Sequence, residues 1–181
     1  MAERGETIED YRRNRRLSAL LQEITKIFEE KIIGWKLEGK LTKENVLAEY
    51  KAGGGVWAAN FYPEGDKVVI GSGDGMMRVI SLTEKDEQGK PKVLAEYEAG
   101  GAVWAANFSP EGDKVVIGSG DGMMRVISLT KKDKRGKPKV LAEYQAGGRV
   151  LAANFSPEGD KVVIGSGDDD RMMKVLGPKN S

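Results

Sequence analysis

The stretch GSGDGM at residues 71–76 has the glycine content of a phosphate-binding loop. Such glycines hold nucleotide phosphates only when a helix N-terminus stands behind them. Here the strand-like run MMRVISL (76–82) follows, so the glycines are expected to shape a tight strand-to-strand turn. Inside that turn stands Asp74, repeated as Asp121 and Asp168. These carboxylates are expected to accept backbone N–H bonds, which short acidic side chains do well in turns.

Asp168, Asp169 and Asp170 form an acidic run that invites a calcium reading. It lacks the ligand spacing and the distal bidentate glutamate of a dedicated site, so a solvated turn is the favoured expectation. The chain contains no histidine and no cysteine. That removes the commonest general acid–base and metal ligand, and with it thiolate sites and disulfides. No nucleophile has a base beside it, and the carboxylates recur as structural positions do. The expectation is a protein that is not an enzyme, with no cofactor and no metal.

Arg12, Arg13, Arg15 and Arg16 form a basic cluster. A basic arm for nucleic acid or acidic membrane is the alternative functional reading. Glu9, Asp10, Glu23, Glu29 and Glu30 balance it nearby, and the whole chain carries a net charge of only +1. No global field recruits polyanions, and a solvated helix face is the preferred account. The N-terminal stretch has no apolar core of a secretory leader, and no apolar run is long enough to span a bilayer. A soluble cytoplasmic protein is expected.

The elements that position these residues follow two grammars. From about Thr7 to Ile33, Leu17, Leu20, Leu21, Ile24, Ile27, Phe28 and Ile32 recur at three- and four-residue steps. That predicts an amphipathic α-helix, with Thr7 as N-cap and Gly34 as stop. Residues 1–45 are assigned to this helix and a connector. The remainder, 46–181, is three copies of one unit: 46–92, 93–139 and 140–181. VWAANF starts at Val56 and Val103, and VLAANF at Val150, a constant spacing of 47 residues. Over 46–82 and 93–129 only Lys51/Glu98, Gly55/Ala102 and Tyr62/Ser109 differ. Fixed-period self-similarity of this kind marks a repeat architecture, from recent duplication or deliberate construction.

Each unit holds four strand-like runs separated by turn signals. In the first they are VLAEY (46–50), VWAANF (56–61), KVVIGS (67–72) and MMRVISL (76–82). The middle runs are apolar on both faces, as strands covered on both sides are. The polar connector TEKDEQGKPK (83–92) is expected on the surface. The methionine pairs 76/77, 123/124 and 172/173 read as packing between successive units.

The pattern VxxxNFSPEGDKVVIGSGDGMMRVISL resembles the WD40 repeat, the blade of a β-propeller family. Val103, Phe108, Pro110, Gly112, Gly118, Asp121, Gly122, Arg125 and Val126 stand at positions matching that pattern. The Trp-Asp pair is replaced by Ile80-Ser81 and Ile127-Ser128, and Ala52 and Ala99 stand at the histidine position. The Asp–His–Ser–Trp relay of such blades therefore cannot form. The resemblance implies a mainly β protein with three four-stranded blades per chain, acting as a protein-interaction or structural scaffold. Trp57, Trp104 (Leu151 in the third copy) and Arg149 are the candidate channel or interface contacts.

Propellers close with about four to eight blades, so three would leave apolar faces of several hundred Å2 in water. At about 25 cal/mol per Å2 that forfeits on the order of ten kcal/mol. Closure by oligomerisation is expected, the 46–50 strand of one subunit completing the last blade of another. A homodimer with six blades is favoured and a homotrimer with nine is the alternative. The connectors EKDEQ (84–88) and KKDKR (131–135) differ in sign, though surface pairs contribute only about 0–1 kcal/mol each.

Overall fold

The protein is described from a computed structural model covering residues 40–168 and 171–178. The expected helix over 7–33 and the basic residues Arg12, Arg13, Arg15 and Arg16 lie outside the described residues, as do Asp169 and Asp170. The chain divides after Leu47 into two units. The described part of the first holds one short 3-10 turn, Lys43–Asn45, where the Thr42 N–H donates to Asn45 Oδ1 at 2.8 Å.

The second unit is built from strands, and Val- and Ile-rich runs alternating with glycine turns account for that choice. Its first sheet contains β1 (Val56–Phe61), β2 (Lys67–Ser72), β3 (Met76–Lys85) and β4 (Pro91–Glu98). Its second contains β5 (Val103–Phe108), β6 (Lys114–Ser119), β7 (Met123–Lys132) and β8 (Pro138–Gln145). The third contains β9 (Val150–Phe155), β10 (Val162–Ser166) and β11 (Met173–Leu176). Every sheet is an antiparallel meander in chain order. The PEGD turns reverse the chain at left-handed glycines: Gly65 has φ 79°, and its N–H bonds back to Tyr62 O at 2.8 Å.

The three sheets stack in sequence order. Strand β1 lies against β5 and β5 against β9, whereas β4 and β8 barely touch. The sheets thus converge on their first strands and splay at their last, the radial arrangement of blades around an axis. One apolar cluster joins Val69, Met77 and Val79 of the first sheet to Val103, Ala106, Val115 and Ile117 of the second. Another joins Val116, Met124 and Val126 of the second to Val150, Ala153, Val162 and Ile164 of the third. Met77 and Met124 are both buried in these seams.

Three details depart from the sequence expectations. The connector 83–92 lies on the surface as expected, but half of it is strand: β3 runs to Lys85, β4 starts at Pro91, and Asp86 Oδ1 accepts the Gln88 and Lys90 N–H groups to close the hairpin. VLAEY forms the body of β4 and β8, yet its first copy at 46–50 is in no strand. The reason is chain order. Each outer strand is drawn from the start of the following copy, so 46–50 has no preceding sheet among the described residues. For the same reason the third sheet has three described strands rather than four, and β11 is its outer edge.

Candidate functional site

The Gly-Asp-Gly turns lock the loop that enters each first strand. Asp74 Oδ2 accepts the Gly53 N–H at 3.1 Å, and Oδ1 accepts the Met76 N–H at 3.0 Å. The Arg78 guanidinium donates to the same carboxylate at 2.8 Å. Asp121 repeats the pattern with Gly100, Met123 and Arg125 at 3.1, 2.9 and 2.8 Å. Burial opposes ionisation of both carboxyls. The arginine and the backbone donors overcome it, so both sit below the usual aspartate range. Carboxylates held ionised by saturating donors are poor general acids.

The third turn is wired differently. Lys174 stands where Arg78 and Arg125 stand, and Asp168 takes Arg149 instead, from the entry loop. Arg149 Nη2 and Nε approach the carboxylate at 2.7 and 2.9 Å. That pairing raises the Arg149 pKa above its ordinary value. Asp168 itself adopts a left-handed φ of 59°, which Asp tolerates better than most residues. Among the described residues no group of three or more His, Cys, Asp or Glu is placed to hold a metal ion.

Trp57 and Trp104 meet across the first seam, ring centroids 5.1 Å apart and 30° from parallel. Each sits at a β-bulge: the register passes from Val56↔Ser72 to Ala58↔Gly71, and from Val103↔Ser119 to Ala105↔Gly118. The extra residue re-aims the side chain. Leu151 occupies the equivalent bulge in β9 and is exposed. The structure therefore brings Trp57 and Trp104 together, whereas Arg149 is committed to Asp168.

Sequence reasoning overlooked the polar ties between sheets. Asn60 Nδ2 donates to Ala106 O at 3.0 Å, and Asn107 Nδ2 donates to Ala153 O at 2.7 Å. The same asparagine in each VWAANF run thus grips the next sheet. Its recurrence at 60, 107 and 154 in an otherwise apolar run was the available signal.

The two ends of the stack differ from its interior. Val103 and Val150 are fully buried, while Val56 at the equivalent place is 47 % exposed. Met77 and Met124 are 0 % and 3 % exposed, and Met173 is 67 % exposed. On the first sheet the inner strand exposes Val56, Trp57 and Phe61 and the outer strand exposes Leu94, while Ile70 and Ile80 are buried.

Radially stacked antiparallel meanders, each locked by an aspartate turn, define a β-propeller-type repeat protein. The family described as WD domain, G-beta repeat matches residues 44–81 and 91–128. These two matches support a WD40-repeat family, whose members are generally non-enzymatic scaffolds. No curated protein matches it closely enough to count as a relative. No helix among the described residues is long and apolar enough to cross a membrane.

Proposed function

We propose that this chain is a non-enzymatic, self-assembling propeller scaffold whose ring is completed by further copies of itself. The observation that carries the reading is the pair of unlike ends. Val56 on the first sheet and Met173 on the third are open, although their interior equivalents are among the most buried side chains. The seams between sheets one and two and between two and three support another blade as the occupant. A second copy's first blade against this chain's third continues the same interface.

Strand exchange completes the ring. Residues 46–50 are in no strand, with Val46 and Leu47 exposed, and β11 has an open edge among the described residues. An unpaired strand edge is a template for backbone pairing with another chain. Two copies give six blades, within the usual range of propellers, and this is the favoured state; three give nine. Absolute mass in solution by light scattering tests it: two or three subunits support the reading, and a well-folded monomer at micromolar concentration overturns it. A protein partner would then be met by an assembled surface carrying several copies of each contact.

A further inference from the structure

Resting on the reading that a second copy follows the third blade, we infer that the inner strands meet at the join as they do in the internal seams, with Gly165 as the seat for Val56 of the partner subunit.

The glycines of the KVVIGS strands carry the argument. A Cβ placed on Gly71 would lie 2.7 Å from Val103 Cγ1 and 2.8 Å from Val103 O. On Gly118 it would lie 2.7 Å from both Val150 Cγ1 and Val150 O. Both glycines are glycines because the next blade's valine occupies the space of a side chain. Gly165 is the third member of this series, and the reason is missing from its own chain. The nearest atom to a Cβ there is Ala152 Cβ at 3.5 Å, an ordinary contact, and its φ lies outside the left-handed region. Glycine within a strand weakens the strand and often marks close approach of another backbone. The valine equivalent to Val103 and Val150 that remains open is Val56.

Two further correspondences agree with this register. Asn60 and Asn107 each donate to an alanine carbonyl in the following blade; carried forward one blade, exposed Asn154 donates to the partner subunit's Ala59 carbonyl. In the sheets, Arg78 pairs opposite Glu96 and Arg125 opposite Glu143. The same register sets Lys174 opposite the partner subunit's Glu49, again cation against carboxylate.

The test uses the full chain, with mass by light scattering over a dilution series and strand content by circular dichroism. Gly165→Val is expected to keep its strand spectrum while its dissociation midpoint rises at least about tenfold, because overpacking falls at the join alone. Lys174→Glu and Glu49→Lys are each expected to weaken assembly by about threefold to fivefold, and the double variant to recover most of that loss. An oligomeric wild type with undiminished assembly in Gly165→Val overturns the seat and leaves the assembly reading standing. Should Gly165→Val misfold, a charge-reversed pair that assembles no better than its single variants overturns the register. A monomeric wild type overturns both.

Discussion

Arg149 reaches Asp168 from the loop before its strand, at 2.7 Å, while Arg125 reaches Asp121 from the strand after the turn, at 2.8 Å. The two turns share a carboxylate and differ in where its cation comes from. They differ also in surroundings: Arg125 and Asp121 are 14 % and 16 % exposed, and Arg149 and Asp168 are 52 % and 38 % exposed.

That contrast sets the first expectation. Asp121→Asn removes the charge behind a partly buried guanidinium and weakens three donor bonds, so it should destabilise the fold by about 1–2 kcal/mol. Arg149→Ala, in water, should leave the urea midpoint nearly unmoved. Urea denaturation of both variants at one fixed protein concentration compares them.

Acid should act through the same turns. The folded pKa of Asp74 and of Asp121 lies below the ordinary aspartate value. Their contribution to stability is therefore fully present above the unfolded pKa of about 4 and is lost as pH falls through the folded pKa. The urea midpoint should hold from pH 7 to about 5 and decline below about 4. In Asp74→Asn/Asp121→Asn the acid limb should be shallower; an unchanged limb would sink the assignment.

Asn107→Ala strips the donor from Ala153 O across a buried seam and should cost about 1–3 kcal/mol. Asn107→Asp, which cannot donate when ionised, should not restore it. Thermal unfolding followed by circular dichroism at matched concentration reads the difference.

The methionines separate interior from end. Met77→Ala empties a fully buried position in the first seam and should cost about 2–5 kcal/mol whatever the state of assembly. Met173→Ala should cost little in the dissociated chain and weaken only the associated form. Unfolding at low and high protein concentration distinguishes the two, since stability gained from association depends on concentration.

How far these features could be read in the residues follows from their range. Gly-Asp-Gly turn chemistry is local, so the role of Asp74 was legible. The partnership of Asp74 with Arg78 was not, because residues four apart in a strand do not ordinarily meet; the reversal at Gly75 brings them together. Asn60 bonds to a carbonyl 46 residues away, and no local pattern shows that. The bulge at Trp57 changes the parity of its strand, which adds a second reason why VWAANF does not alternate cleanly. VLAEY is the sharpest case: identical at 46–50, 93–97 and 140–144, it is strand only in the last two. A strand is a property of a pair, and the first copy has no edge beside it among the described residues.

The unlike ends of the stack carry one more consequence. Contacts that join the head of one molecule to the tail of another close into discs only when the turn per step divides the circle evenly. Any residual pitch makes the same contact generate an endless fibre. In the proposed assembly, the wedge between neighbouring sheets, set where Val103 presses on Gly71 and Val150 on Gly118, therefore decides between a finite particle and a polymer. One added methyl group at either glycine would reset that angle.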